Sequence, residues 1–239
     1  MAVYERSWRR YAGALTPLKG RFLVVTRYAL GDVFASRIFT AFYALCFLPS
    51  VLGLLFIYLS HNVPLLNQLG APPDLMKVLT SQFFMVLFSW QALPAFLVAV
   101  LVSPSLIAAD LSNNALPLYL ARPITRAEYV LGKTAVLALL LSPMTWVMGL
   151  ATFALQASLE GGGWWVNNYQ IGVAYLVGHL TWIVVISMLT LAISAWVRYK
   201  PVARGALFAI IFILAGFATA VNAVTRTSWG DLIHLVRAI

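Results

Sequence analysis

The sequence contains one cysteine, three histidines and only seven acidic residues in 239 positions. The lone Cys46 lies inside an apolar run, which excludes a disulfide framework and a cysteine-held metal cluster and leaves a small buried hydrophobe. Aspartate and glutamate are confined to loops and to the ends of apolar runs. No paired-carboxylate, serine–histidine or metal-ligand constellation therefore assembles within those runs. A phosphate loop of the form G-x-x-x-x-G-K-[ST] is also missing, which excludes ATP hydrolysis by this chain in the usual way. There is no internal repeat, no low-complexity tract and no polar segment long enough to fold as a separate unit, so a single domain over 1–239 is expected.

What the chain has instead is apolar surface. Hydrophobic residues make up 62% and charged residues 10%, against roughly 45–50% and about 25% in a soluble domain, so this is an integral membrane protein. The net charge of +9 would suit a nucleic-acid binder only if the cations shared a polar face. Here they sit at the ends of apolar runs, and no nucleic-acid partner is expected. Five runs reach the roughly 20 residues needed to cross about 30 Å of hydrocarbon, at approximately 38–60, 82–109, 128–158, 171–197 and 205–224. They are continuous rather than alternating, which excludes a barrel and predicts an all-α helical bundle. The first run begins near Ile38, after seven basic residues, too late and too long for a cleaved signal peptide, so it remains as an anchor.

Thirteen of the sixteen Lys and Arg residues fall in three places: the N-terminal segment, the connection between the second and third runs, and the connection between the fourth and fifth. The opposite side keeps only Lys77, Arg226 and Arg237. The positive-inside rule then puts the N-terminus and the second-to-third connection in the cytoplasm of a multi-pass protein of the inner (plasma) membrane. On the outer side, the reading is a Pro-rich loop from His61 to Ser81 and a short Gly-rich turn from Glu160 to Gln170. Trp164, Trp165 and Tyr169 form an interfacial belt there.

Before the first run, Arg21 to Arg37 has an apolar stripe of Phe22, Val25, Ala29 and Val33, flanked by Leu30 and Phe34, with Arg27 opposite. This predicts an amphipathic helix in the plane of the membrane surface, the alternative being a plain cytoplasmic extension of the first span. Pro49, Pro94 and Pro143 each remove a helical hydrogen bond and are expected to bend their spans. Residues 225–239 read as a short outer-side helix, with Ser228 and Asp231 supplying its start and Leu232, Ile233, Leu235, Val236 and Ile239 its apolar face.

The most specific stretch is the polar island from Ser103 to Lys133, between two runs that carry almost no charge. Thr125-Arg126-Ala127-Glu128 fits a capping box, which starts the third span near Arg126. Upstream, Asn114 is suited to cap a shorter helix to about Ala121, with Pro117 in its first turn. That helix would carry Leu116, Leu118, Tyr119 and Leu120, more apolar surface than a solvated loop has reason to show, which points to headgroups or a protein partner.

In order, Asp110, Asn113-Asn114-Ala115-Leu116, Leu118-Tyr119-Leu120, Arg122-Pro123-Ile124-Thr125-Arg126 and Leu131-Gly132-Lys133 resemble the pattern of the membrane subunits of type-two ATP-binding-cassette exporters. The likeness is specific over about thirty residues of the island; elsewhere it rests on hydropathy and topology. It implies that Asn113 to Ala121 is a coupling helix that docks in a groove of a separate ATP-hydrolysing subunit. Asp110, Asn113, Asn114, Leu116, Leu118, Tyr119, Leu120, Arg122 and Arg126 would form that interface, with Thr125 and Glu128 as the structural cap. It further implies two copies of the ATP-binding subunit, which bind the ATP and Mg, and a second permease copy, as a homodimer or a paralogue. No cofactor would be bound by this chain. Family members usually have Glu, often followed by Arg, where this chain has Asp110-Leu111, and six spans where five are readable here.

Lys133 lies about two turns into the third span, and His179 is the mid-membrane ionisable candidate. Lys133 is placed to snorkel to the headgroups, the commoner fate, or to pair with an acid such as Glu128. His179, with Thr181 nearby, is either a neutral hydrogen-bonded interior histidine or a pathway residue. An intramembrane enzyme using His179, or a non-transporting scaffold whose island binds a cytoplasmic protein, are the alternatives to a permease. Bundle cavities are lined by the residues that pack them, so the substrate is not legible.

Overall fold

The computed structural model describes residues 20–62, 64, 81–115, 117, 119, 121 and 124–225. The segment from Ser228 to Ile239, nearly all of the His61–Ser81 loop, and Leu116, Leu118, Leu120 and Arg122 lie outside the described residues. Those described form helices and short connections with no strand, an all-α architecture with five helices long and apolar enough to cross a membrane.

The first helix, α1, runs from Arg21 to Phe34 and is a separate element rather than an extension of the first span. The chain breaks at Ser36, whose backbone is extended and whose Oγ accepts from the Phe39 N–H at 3.3 Å, capping the next helix. Val25, Thr26 and Ala29 are buried against the start of the third span. Leu23, Val24 and Tyr28 remain exposed, an apolar outer surface suited to lipid.

The spans run Arg37–Ser60, Ser81–Ser112, Arg126–Glu160, Gly162–Trp196 and Lys200–Thr225. The first is interrupted at Cys46 and Phe47, where Pro49 takes a position in the first turn of the following segment and its missing N–H does no harm. The third contains a single π-helical turn at Pro143–Val147, so the helix passes that proline by widening one turn. The second span carries Pro94 and also Pro104, and its regular helix ends at Leu106 before a short continuation over Ala108–Ser112.

The fourth span begins at Gly162, nine residues earlier than the hydropathy run suggests. Gly161 has φ 93°, a backbone state that favours glycine, and it reverses the chain at once, so no longer outer turn is needed. Trp164 and Trp165 therefore ride on the helix, each within 5.5 Å of the Phe153 ring on the third span. At about 1.5 Å per residue this helix is longer than the hydrocarbon is thick, so it tilts or projects beyond it.

The second span lies at the centre of the bundle. Ala92, Ala95, Val98 and Ala99 let the third and fourth spans approach closely, bringing Val136, Leu137, Leu140, Leu141, Trp182 and Ile186 into one core. The first and fifth spans lie at the periphery, and most of their side chains face outward.

Candidate functional site

The end of the second span stops in a Schellman turn. The Ala115 N–H donates to the Asp110 carbonyl at 2.9 Å and the Asn114 N–H to the Leu111 carbonyl at 3.3 Å, with Asn114 at φ 52°. Asn114 thus ends one helix instead of capping the next. An N-cap residue has an extended backbone, whereas Asn114 is left-handed, and Pro117 removes one of the two N–H groups such a cap could use. The side-chain oxygen of Asn114 instead accepts from Arg198 at 3.5 Å, beside the start of the fifth span.

Helical hydrogen bonds resume immediately, from Tyr119 N–H to the Ala115 carbonyl and from Ala121 N–H to the Pro117 carbonyl. Thr125 then caps the third span: its Oγ1 accepts from the Glu128 N–H at 3.2 Å, while Glu128 Oε2 accepts from the Thr125 N–H at 2.7 Å. Arg126 is the first helical residue and is exposed, as are Asn113 and Asn114.

Asp110 is held from the opposite helix. Lys133 Nζ lies 2.8 Å from Asp110 Oδ2, and the Tyr129 hydroxyl donates to the same oxygen at 2.7 Å. Lys133 therefore neither snorkels nor pairs with Glu128, whose carboxylate serves the cap. Burial explains the choice, because an ammonium this far from water is stable only beside a fixed counter-charge. The ring of Tyr119, on the short helix, lies 5.6 Å from that of Tyr129. One tyrosine thus touches the short helix through its face and the second span through its hydroxyl.

The neighbouring Gly132 has its own task. A Cβ there would lie 3.0 Å from the Phe22 carbonyl oxygen, and the Thr26 hydroxyl donates to the Gly132 carbonyl at 3.0 Å. Glycine lets α1 lie directly on the third span, one residue before the lysine that holds Asp110. The Leu131-Gly132-Lys133 run thus joins α1, the second span and the third at one level.

His179 is fully buried, its Nδ1 3.1 Å from the Tyr175 carbonyl and its ring against Phe88 and Tyr175. Thr181, two residues on, faces outward and donates to its own helix, so the two do not form a site. Around His179 runs a polar seam that joins four spans. The Tyr175 hydroxyl donates to Gln91, Gln91 Nε2 donates to Ser50 Oγ at 2.7 Å, and Ser50 donates to the Met144 carbonyl at 3.3 Å. Among the described residues, no group of three His, Cys, Asp or Glu comes together as a metal site.

Sequence reasoning missed Tyr129, Thr26, Gln91 and Tyr175. A signal did exist for Tyr129, which stands one helical turn before Lys133, so that both side chains reach the same point.

No curated protein matches the chain. A family model described as ABC-2 family transporter protein matches residues 36–230, from the break after α1 through all five spans. This match covers most of the sequence and fits the apolar five-helix bundle with its capped polar island. The chain belongs to the ABC-2 transporter family, as a multi-pass membrane permease subunit whose family works with an ABC-type ATP-binding partner.

Proposed function

We propose that the chain exports a substrate across or out of the inner (plasma) membrane, with its N-terminus and polar island in the cytoplasm. Asn113 to Ala121 acts as the coupling helix, seated on an ATP-binding subunit. Two such subunits bind the ATP and Mg, and a second permease copy, identical or paralogous, completes the pathway.

The observation that carries this reading is the cluster of Tyr119, Tyr129, Asp110 and Lys133. A force applied to the short helix reaches the third span through the two tyrosine rings and the second span through Asp110. Because Lys133 clamps the same carboxylate, the two spans move together rather than splaying apart. Asp110 then braces the helix that docks, while the exposed Asn113 and Arg126 are free to contact the partner. Leu116, Leu118, Leu120 and Arg122 complete that interface in this reading.

The test is co-purification of a cassette-type ATPase in mild detergent, followed by transport measured per ATP hydrolysed. Charge reversal at Asp110 or Arg126, or a polar residue at Leu118, should uncouple hydrolysis from transport in a chain that still inserts. The Arg126 and Leu118 variants should also keep the parent's melting temperature, while the Asp110 variant, which strands Lys133, should not. Normal transport by all three variants would sink the placement of the coupling helix; a partner that hydrolyses no nucleotide would favour a scaffold.

A further inference from the structure

A cavity of about 990 Å³ opens between α1, the start of the first span, the island end of the second span and the start of the fifth. That volume is at the upper end of the range for ligand sites. Its walls are of two kinds. Val25, Val33, Ile38, Phe39, Phe42 and Leu101 make an apolar side. The fifth span contributes Lys200 and Arg204, one helical turn apart and so on one face.

The charges do not cancel. The lining holds Lys133, Lys200 and Arg204 against Asp32 and Asp110, and the Lys133–Asp110 pair is closed on itself. That leaves Asp32 of α1 as the other acid in a lining that holds two cations of the fifth span. Arg204 is fixed, because its Nη2 donates to the Leu101 carbonyl at 3.2 Å, at the turn that Pro104 disturbs. Its buried Nε has no partner among the described residues, so part of the guanidinium's donor capacity is unused.

We propose that this cavity binds a glycerophospholipid from the leaflet on which α1 lies. Its phosphodiester sits against Lys200 and Arg204, and its acyl chains run along Ile38, Phe39, Phe42 and Leu101. A free phosphate would use only the cationic wall and leave the larger apolar wall facing water. A lipid satisfies both, and the surface helix α1, with its Tyr28 and the first span's Ile38 strongly exposed beside the opening, argues for a cavity at headgroup depth. The lipid is held here whether or not it is also the cargo.

The experiment is native mass spectrometry of the full chain in mild detergent, titrated with palmitoyl-oleoyl phosphatidylglycerol. One lipid per chain is expected. Lys200→Gln with Arg204→Gln should weaken binding at least tenfold, and the charge-keeping pair Lys200→Arg with Arg204→Lys should largely restore it. Arg27→Gln removes a cation from the exposed face of α1 away from the cavity, and it should bind as the parent does. Melting temperatures of the variants within a few degrees of the parent's separate lost binding from lost fold. Equal binding of a diacylglycerol would show that no phosphate is read, and complete displacement by millimolar inorganic phosphate would show a free-anion site; either overturns the proposal. So would a lipid-free dimer in which Ile38→Cys cross-links between copies, because a second chain would then fill the space.

Discussion

Asp110 and Lys133, twenty-three positions apart in sequence and on different spans, meet at 2.8 Å where both side chains are largely withdrawn from water. Removing one partner strands the other charge. Asp110→Ala should therefore destabilise the chain by about 3 kcal/mol, whereas removing both charges should cost less than either single change. Thermal unfolding of the two single variants and the double variant in detergent, read as a double-mutant cycle, checks this. Strictly additive losses would mean that the pair contributes nothing.

Tyr129 separates the two contacts of the cluster. Tyr129→Phe keeps the ring against Tyr119 and loses only the hydrogen bond to Asp110, while Tyr129→Ala loses both. If the rings carry the force, transport per ATP should fall only modestly in the phenylalanine variant and severalfold in the alanine variant. Equal losses in the two variants would place the coupling on the hydroxyl instead.

Gly132 and Gly31 form a matched pair for the seam between α1 and the third span. A methyl at Gly132 meets the Phe22 carbonyl oxygen, so Gly132→Ala should lower stability by about 1–2 kcal/mol as α1 is pushed away. Gly31 on α1 has nothing within 4 Å of where a Cβ would go. Gly31→Ala should raise stability by up to about 1 kcal/mol through helix propensity. Opposite shifts in melting temperature are expected, and parallel shifts would contradict the packing.

The bundle was legible because hydropathy and capping act locally. Runs of apolar residues reveal spans, and Thr125 with Glu128 marks a helix start wherever it occurs. The partner of Asp110 was not legible, since nothing within the island distinguishes Lys133 from a lysine that snorkels. That choice depends on how deeply the second and third spans bury each other. Asn114 misled for a related reason: its short polar side chain suits both an N-cap and a left-handed turn, and the chain uses it for the turn. The early start of the fourth span was hidden because three glycines in a row read as a loop, while only Gly161 is used to turn the chain.

The seam inside the bundle makes the last prediction. Gly149 packs so closely on Tyr175 that a Cβ there would overlap the ring, and that ring's hydroxyl donates to Gln91, which reaches Ser50. Interhelical hydrogen bonds of this kind are individually modest, so Gln91→Leu should lower stability by about 1 kcal/mol. Gly149→Ala should lower it further, by about 2 kcal/mol, because the ring must move and Phe84, Phe88 and His179 crowd its alternatives. Moving the ring also breaks the bond to Gln91, so the double variant should lose less than the sum of the two single losses. A fully additive result in detergent melts would mean that Tyr175 shifts without releasing Gln91.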